Sequence, residues 1–280
     1  MAAGAGIRRK RLFEADHDSP LNSAVTQRGQ NIVQLVEDAV RRGNVFLAFQ
    51  PVVQTRKTGT PAFYEGLIRV TDTNGTVIPA RDFFPAVETM EIGRELDCRA
   101  LGMALGALSR DASLRLSVNM SARSIGYPKF MRVLTHGLKT CATAGERLIL
   151  EISESSAMMM PELVTTFMAR LQPDGITFAL DNFGAGQTSF RHLRDFYFDL
   201  IKIDGSFIRG VADSTDNQIL TQALLAVARQ FDMFAVAESV ETARDAEYLT
   251  SIGMDCMQGY YFGAPTVTPP WKLPAPRKTA

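Results

Sequence analysis

The segment Phe178-Ala-Leu-Asp181-Asn182-Phe-Gly184-Ala-Gly186 shows most clearly how this chain is organised. Its apolar half is typical of a short buried strand, which ends on the carboxylate of Asp181 and opens into a loop with two glycines. A carboxylate at the end of a strand is a common position for a metal ligand or a base in barrel enzymes. The segment therefore predicts a core strand with a functional group at its end.

Strand-like and helix-like segments alternate on both sides of this strand. The predicted strands are 46–53, 63–70, 114–120, 148–153, 176–181, 200–204, 234–238 and 257–262. The predicted helices are 31–42, 82–88, 92–108, 127–143, 161–171, 187–196, 214–231 and 242–252. Alternation of this kind implies a parallel sheet, and eight strands imply an α/β fold of the TIM-type (β/α)₈ class. A doubly wound open sheet is the alternative, but the chain has no Gly-rich dinucleotide or P-loop fingerprint.

The chain has no linker that would divide it into two domains. We expect one barrel domain over residues 26–265, preceded by a tail (1–25) and followed by a tail (266–280). The first tail carries the basic run Arg8-Arg-Lys-Arg11 beside acidic residues, which is typical of a solvated arm. The second tail is rich in proline and predicts irregular structure.

The composition restricts the classes of function to consider. Of the 280 residues, 46% are hydrophobic, and 30 basic residues balance 30 acidic ones. A chain without net charge has no broad field for duplex nucleic acid or anionic lipid, so a polyanionic ligand needs a local site. No apolar run approaches the roughly 18–20 residues that span a bilayer. The three cysteines are widely spaced and odd in number, which argues for a reducing compartment and against a disulfide scaffold. We therefore expect a cytoplasmic protein.

Polar residues stand at the ends of the predicted strands, where core residues would be expected. They are Glu65, Asn119, Glu151, Asp181, Lys202, Asp204, Glu238 and Gln258. Residues two apart on a strand share a face, so Lys202 and Asp204 are expected to point the same way. If that face lines the barrel, these groups meet at the C-terminal mouth, where barrel enzymes hold their chemistry.

Clustered carboxylates at this mouth require a compensating cation. Their mutual repulsion would reach roughly several kcal/mol at an effective dielectric constant near 20. Oxygen ligands without His or Cys favour hard ions such as Mg²⁺ or Mn²⁺. The structural alternative is that these residues only cap helices, as Asp, Asn and Ser often do. Because Glu and Lys cap poorly, the pattern favours hydrolysis of a phosphate ester with a hard metal.

Short motifs in a fixed order extend this interpretation. The first are Phe49-Gln-Pro51 and Glu65-Gly-Leu67, the second followed by Arg69. Later ones are Asn119-Met-Ser121, Glu151-Ile-Ser-Glu154, Lys202-Ile-Asp204, Glu238-Ser-Val-Glu241 and Gln258-Gly-Tyr-Tyr-Phe262. Over residues 30–265 the chain thus resembles an EAL domain, the bacterial phosphodiesterase that hydrolyses cyclic di-GMP, with Glu65-Gly-Leu67 in place of the name-giving Glu-Ala-Leu.

The resemblance implies a two-metal site for Mg²⁺ or Mn²⁺. The ligands of the first metal would be Glu65, Asn119, Glu151 and Asp181. Asp181 would bridge to a second metal, with Asn182 as its further ligand. Asp204 is a further candidate metal ligand. Lys202 would hold the attacking water, and Glu238 would be the general base. The residues that would contact the substrate or tie down the water and metal shell are Gln50, Leu67, Arg69, Glu241 and Gln258.

The resemblance also implies a loop that acts as a lid over the site and a dimer. Glu154 would anchor the loop from Phe183 to Phe190, which in the family closes the site and helps to form a dimer. The chain is accordingly expected to be a homodimer that converts cyclic di-GMP to linear pGpG.

Three departures from the family pattern bear on activity. Asn182 stands where the family usually has a second aspartate, and losing a charge about 4 Å from a cation costs about 4 kcal/mol at an effective dielectric near 20. The second metal is therefore expected to bind weakly. Gly66 and Ser239 replace the usual alanine and glycine. The loop keeps Gly184 and Gly186 but lacks the more usual Thr and Tyr.

Two functions remain open from the sequence. The first is a slow, metal-dependent cyclic di-GMP phosphodiesterase, since the first-metal ligands, Lys202 and Glu238 are all present. The second is a degenerate domain that binds cyclic di-GMP as an effector, or binds only a signalling protein. Asn182 motivates this second function.

Overall fold

A computed structural model of the chain describes residues 20–186 and 190–272. Its strands are β1 (Val45–Gln54), β2 (Lys57–Thr71), β3 (Val77–Pro79), β4 (Leu116–Asn119), β5 (Leu148–Ser153), β6 (Thr177–Phe183), β7 (Leu200–Ile203), β8 (Phe234–Ala237) and β9 (Cys256–Gln258). Its helices are α1 (Pro20–Arg42), α2 (Ala80–Val87), α3 (Glu91–Arg110), α4 (Pro128–Thr140), α5 (Glu154–Met159), α6 (Pro161–Leu171), α7 (Phe190–Leu193), α8 (Gly205–Ile208), α9 (Thr215–Gln230) and α10 (Ala243–Ser251).

The strands close into a barrel. Pairing runs in the order β1-β9-β8-β7-β6-β5-β4-β2, and a direct β1–β2 pairing completes the ring. β3 pairs with β2 outside this ring. From β2 through β4 to β9 the ring strands run parallel. The α/β barrel of TIM type predicted from the alternation is confirmed, and the open-sheet alternative is wrong.

β1 departs from the parallel arrangement that the alternation predicted. It runs antiparallel to both β2 and β9. Only Thr55 and Arg56 lie between β1 and β2. Two residues suffice for a hairpin but not for the crossover that a parallel pair requires. The first two strands therefore form a hairpin rather than a β-α-β unit.

Alternation along the strands builds two layers inside the barrel. The lower layer is a cluster of buried apolar side chains, namely Val52, Phe63, Ile149, Ala179, Leu200, Val236 and Cys256. Two positions nearer the C-terminal mouth on the same strands stand polar residues, namely Gln50, Glu65, Glu151, Asp181, Lys202, Glu238 and Gln258. Because residues two apart share a face, the apolar layer supports a polar layer at the mouth.

The outward-facing strand residues form the main core with the helices. Leu150, Ile152, Leu180, Ile201 and Ile203 are completely buried in one cluster with side chains of the surrounding helices. Burial of each such side chain contributes about 1.5–3 kcal/mol. The polar layer thus rests on strands that are fixed by packing on their outer side.

The N-terminal helix begins earlier than its apolar spacing predicts. α1 starts at Pro20, so residues 20–25 of the expected tail are helical. The first half of the helix is polar in sequence and gives no periodic signal, whereas Val36, Ala39 and Val40 of its second half are buried. The remaining part of the predicted tail, residues 1–19, lies outside the described residues.

The segment after the barrel packs back onto it. Thr266 forms an antiparallel bridge with Phe49. The Trp271 ring lies 4.7 Å from the Phe49 ring and 5.0 Å from the Tyr64 ring. Residues 266–272 of the expected C-terminal tail are therefore bound to the barrel, because irregular sequence does not preclude aromatic packing. Residues 273–280 lie outside the described residues. Within the described parts of the chain, no helix is long and apolar enough to cross a membrane.

Candidate active site

Lys202 lies at the centre of the polar layer and is 1% exposed. Its Nζ lies 2.8 Å from Glu151 Oε2 and 3.0 Å from Glu65 Oε2. The same atom lies 2.8 Å from Glu238 Oε1 and 3.3 Å from Asp181 Oδ1. Four carboxylates from four different strands or strand ends thus surround one ammonium, and when all are ionised they leave an excess of three negative charges.

Lys202 and Glu65 are the two members of this cluster that stay charged. Burial acts to lower the pKa of Lys202, but the surrounding carboxylates raise that pKa well above its usual value. Burial acts to raise the pKa of Glu65, but the Lys202 ammonium together with hydrogen bonds from Gln258 and Asn119 lowers it below the usual value. The pair is a fixed ion pair at the base of the mouth.

The other three carboxyl groups hold protons more tightly than usual. Burial raises the pKa of Glu151 well above its ordinary value, and the charge of Glu65 adds to this effect. Burial also raises the pKa of Asp181, and it raises the pKa of Glu238 to about 8. One ammonium therefore does not suffice to keep all four carboxylates ionised at neutral pH, and a further cation would take the place of the bound protons.

The residue types and charges of the cluster fit a hard divalent cation. Among the described residues, the buried atom Glu151 Oε1 has no hydrogen-bond partner, and Asp181 Oδ1 has the Lys202 ammonium at 3.3 Å as its ion-pair partner. An oxygen-only donor set with excess negative charge is what Mg²⁺ and Mn²⁺ prefer. Over the described ranges, no three His, Cys, Asp or Glu side chains already converge as metal ligands do, since Lys202 Nζ fills the centre of the cluster.

Three amide side chains orient the cluster. Asn119 Nδ2 donates to Glu65 Oε1 at 2.8 Å. Gln258 Nε2 donates to Glu65 Oε2 at 2.6 Å and to Gln50 Oε1 at 3.3 Å. Gln50 Nε2 donates in turn to the carbonyl oxygen of Gly263 at 3.1 Å. Both oxygens of Glu65 are therefore held in place, and three sequence-predicted residues lie in one network with it.

Asn182 occupies the edge of this cluster rather than its interior. Its side chain is exposed and its φ is +56°, a left-handed conformation in which asparagine is enriched. Its Nδ2 donates to Asp181 Oδ2 at 2.7 Å. The amide thus supports the charge of Asp181, whereas an aspartate at this position would repel it.

Glu154 contacts the loop that follows β6. Its Oε2 accepts hydrogen bonds from Gly184 N at 3.0 Å and from Gly186 N at 3.4 Å. Gly184 has φ +92°, and a Cβ there would lie 2.8 Å from the Phe207 ring, so both conformation and space require glycine. The contact that a loop anchor needs is present. Residues 187–189 of the predicted lid lie outside the described residues.

A groove with two lobes lies over the cluster. The first lobe has a volume of ≈ 360 Å³ and extends over Glu238 and Gln258. The second has a volume of ≈ 470 Å³ and extends over Asp181 and Asn182. Residues that line both lobes are Glu65, Leu67, Ala80 and Arg81. Members of the carboxylate cluster therefore border both cavities, and Glu65 borders the two together.

The predicted site residues do not all join the cluster. Leu67, Arg69 and Glu241 line the first lobe. Asp204, in contrast, has the contacts of a helix cap, because its Oδ1 accepts hydrogen bonds from the backbone and hydroxyl of Ser206 at the start of α8. β7 ends at Ile203, so the strand alternation that would place Asp204 beside Lys202 no longer applies. As a metal ligand, Asp204 stays a prediction.

Two arginines of the groove are not predicted by the sequence motifs. Arg81 lines both lobes from the start of α2, and Arg209 lines the first lobe from the end of α8. Neither belongs to a motif or to a strand end. The only available signal was an arginine placed soon after Asp204, which by itself is typical of a solvated surface residue.

The structure accommodates Gly66 and Ser239, which also depart from the family pattern, in different ways. A Cβ on Gly66 would lie 3.1 Å from Leu47 Cδ1 and 3.2 Å from the carbonyl oxygen of Ser117, so an alanine here would be crowded. Ser239 has φ +56°, a conformation that serine rarely adopts.

The fold and the site define an α/β-barrel protein with a buried, cation-demanding carboxylate cluster at its C-terminal mouth. The EAL domain family matches residues 34–265, and the chain belongs to that family. The cyclic di-GMP phosphodiesterase PdeF of Escherichia coli (strain K12) is 30% identical over 235 residues, which cover 82% of this chain and 31% of PdeF.

A second curated protein and a solved structure are also similar to this chain. The bifunctional diguanylate cyclase/cyclic di-GMP phosphodiesterase MucR of Pseudomonas aeruginosa is 28% identical over 251 residues, 87% of this chain and 36% of MucR. The solved PaMucR phosphodiesterase, in complex with c-di-GMP, has a TM-score of 0.74 and 27% identity, and the match covers 85% of this chain and 98% of that one. The chain spans about a third of the length of the curated relatives it matches.

Proposed function

We propose that this chain hydrolyses cyclic di-GMP to linear pGpG in a metal-dependent reaction. The observation that carries the proposal is the cluster of one lysine and four carboxylates at the floor of a groove. PdeF, which is named for this activity, is similar over most of the chain. The PaMucR structure adds a relative that holds the same ligand.

The shape of the groove supports a cyclic dinucleotide as the substrate. Such a ligand carries two bases on opposite sides of a ring with two phosphodiester groups. The groove has two lobes that both border the carboxylate cluster, with Arg81 lining both lobes and Arg69 lining the first. Arginine pairs with phosphate through two parallel hydrogen bonds. A base would fill each lobe while the scissile phosphate lies over Lys202.

The cluster would hold the metal ions that the reaction requires. Glu65, Asn119, Glu151 and Asp181 would bind the first ion, and Asp181 with Asn182 would bind the second. When bound, Mg²⁺ or Mn²⁺ polarises phosphoryl oxygens and lowers the pKa of a water ligand. The neutral amide at position 182 makes the second ion the weaker of the two.

Lys202 and Glu238 are the groups that act on the attacking water. Glu238 is 18% exposed and borders the first lobe, so its carboxylate reaches a water in the groove. Lys202 donates to the water oxygen and orients it, and Glu238 accepts its proton as a general base. Gln258 keeps Glu65 in place beside them.

Asn182 supports a second candidate function, which is binding of cyclic di-GMP without hydrolysis. A site with one tightly bound cation would hold the phosphates but would leave the second half of a two-metal mechanism incomplete. The protein would then act as an effector or as a module that binds a signalling protein. A homodimer and a cytoplasmic location are further predictions from the sequence.

A turnover assay separates these functions. Purified protein at high concentration is incubated with cyclic di-GMP and either Mg²⁺ or Mn²⁺ over a pH series, and pGpG is quantified by chromatography. We expect product from the native chain and a loss of about 10²–10⁴-fold in Glu238→Gln. Glu247→Gln, on the exposed side of α10, is the matched control. Tight binding without product in either metal would favour the effector. Absence of both product and binding would refute the phosphodiesterase and the effector and would leave only a module that binds a signalling protein.

A further inference from the structure

Arg209 reaches the first lobe of the groove and is held by two neighbours. Its Nη2 donates to Ser239 Oγ at 3.2 Å, and its Nε lies 3.9 Å from Glu241 Oε1. The side chain is 58% exposed. An exposed arginine ordinarily samples many rotamers, and fixing it in advance reduces the entropy lost when it binds a ligand. Arg209 is thus a cation at the wall of the cavity whose guanidinium contacts two polar neighbours.

The backbone conformation of Ser239 and the space beside Gly205 place the serine hydroxyl next to this arginine. Its backbone has φ +56°, which serine rarely adopts. A Cβ on Gly205 would lie 2.3 Å from Ser239 Oγ and 2.7 Å from Ser239 Cβ. The serine side chain therefore occupies the space that a side chain at position 205 would need. A backbone outlier together with a matching gap indicates that the surrounding structure enforces this placement.

The position of the Arg209–Ser239 contact relates it to the floor of the groove. Ser239 directly follows Glu238, whose carboxylate lies 2.8 Å from Lys202 Nζ. The guanidinium is therefore tied to the residue next to the cluster over which the scissile phosphate would lie. The cluster carries excess negative charge, so a polyanionic ligand needs cations on the walls as well as on the floor.

We propose that Arg209 is a further ligand-binding residue, which binds a phosphodiester group of the cyclic dinucleotide, and that Ser239 is its positioning residue. The inference rests on the proposed function, because the ligand is the same. The planar guanidinium of arginine suits a phosphate better than the point charge of lysine does. Gly205 is part of the same arrangement, since it leaves room for the serine.

Binding of cyclic di-GMP to the full chain tests the inference. Glu238→Gln serves as the parent so that the ligand stays intact, and calorimetry in Mg²⁺ gives the dissociation constant. Arg209→Ala should weaken binding by about tenfold to a hundredfold, the usual effect of a charge-assisted hydrogen bond. Arg209→Lys should recover part of this loss. Arg244→Ala, which removes an exposed arginine paired with Asp213 outside the groove, should leave the constant unchanged.

A double-mutant cycle tests the role of Ser239. Ser239→Ala keeps the Cβ but removes the acceptor of Arg209, so it should weaken binding by a smaller factor than Arg209→Ala. The same substitution should have no further effect in the Arg209→Ala background. Additive losses would overturn the positioning role. A phosphate contact also predicts that Arg209→Ala makes binding less sensitive to salt, and unchanged salt sensitivity would contradict it.

The outcomes separate this inference from the proposed function. If the parent binds cyclic di-GMP and Arg209→Ala binds within twofold of it, the function stands and the role of Arg209 is refuted. If the parent does not bind at all, the proposed function fails and the inference fails with it. Thermal melting of each variant shows whether it is folded, and Arg209→Lys and Ser239→Ala keep the test decisive if Arg209→Ala is not.

Discussion

The charge of the side chain at position 182 sets how the carboxylate cluster is balanced. The Asn182 amide donates to Asp181 Oδ2 at 2.7 Å. An aspartate in its place would bring two carboxylates together at that distance. With a divalent cation between them, the same two charges would instead be favourable, by about 4 kcal/mol per unit of the ion's charge for a carboxylate about 4 Å away at an effective dielectric near 20.

Asn182→Asp should therefore act in opposite directions on the two states. We expect a lower melting temperature without metal, a lower Mn²⁺ or Mg²⁺ concentration at half-maximal activity, and faster turnover. Metal titrations of activity and of melting temperature measure these effects. Asn74→Asp makes the same change of charge on an exposed turn and should alter neither. An unchanged metal midpoint in Asn182→Asp would show that residue 182 is not a ligand.

Asp97 gives the stability of the protein a pH dependence of its own. Its carboxylate is buried on α3 and accepts hydrogen bonds from Ser121 N at 3.0 Å and Ser124 Oγ at 2.6 Å. Burial raises its pKa to about 7 from the usual 3.8. Between these values the folded state holds a proton that the unfolded state has released, so the free energy of unfolding falls as the pH rises.

Asp97→Asn should remove this dependence. The amide oxygen still accepts both hydrogen bonds, while the side chain no longer ionises. We expect the free energy of unfolding of the native chain, relative to Asp97→Asn, to fall by roughly 4 kcal/mol between pH 4 and pH 7 and to change little above that range. Urea unfolding at several pH values measures the difference. Asp232→Asn, at an exposed left-handed position, is the control, and parallel curves for the native chain and Asp97→Asn would contradict the prediction.

Among the elements, the loop after β6 depends on one side chain from the neighbouring α5. Glu154 Oε2 accepts from Gly184 N and Gly186 N. Both donors are only partly buried, so removing their acceptor costs at most about 1–3 kcal/mol, and Glu154→Ala should release the loop. Hydrogen exchange of the amides of residues 184 and 186 should accelerate, while β7 and β8 stay protected. Glu154→Gln, which retains an acceptor, should lie between the two. Unchanged exchange at these amides would show that the loop is held by other contacts.

The same elements show how far local sequence predicts this structure. The polar ends of β4 to β9 can be predicted from the sequence, because a charged or amide side chain at the end of an apolar run has few structural explanations. The antiparallel β1 was missed, since strand periodicity is the same in either direction and only the two-residue turn at Thr55 and Arg56 decides it. Strand alternation predicts that Asp204 lies on the same face as Lys202, but β7 ends at Ile203, so the alternation does not extend to Asp204.

At the scale of the whole molecule, what the sequence lacks is long-range placement. The C-terminal segment packs onto the barrel through Trp271, which contacts Phe49 and Tyr64 more than 200 residues away along the chain. The groove depends on Arg81 and Arg209, which come from α2 and α8 and carry no motif. Short motifs predict which chemical groups meet at the mouth, but not which side chains form the walls around them.

The excess charge at the mouth couples metal binding to the stability of the entire barrel. Four strands or strand ends contribute carboxylates to Lys202, so a cation there ties β2, β5, β6 and β8 together. A ligand that binds only the folded state stabilises it by about 2.7 kcal/mol at a hundredfold excess over its dissociation constant. For a domain of this size that corresponds to an increase of about 5–10 °C in melting temperature.

Mg²⁺ or Mn²⁺ should produce this increase, and EDTA should reverse it. Glu151→Gln combined with Asp181→Asn removes two ligand charges while keeping the side-chain shapes, and it should abolish most of the response. A melting temperature that is independent of metal in the native chain, or an equal increase in the double variant, would mean that the cluster is balanced by Lys202 and bound protons alone.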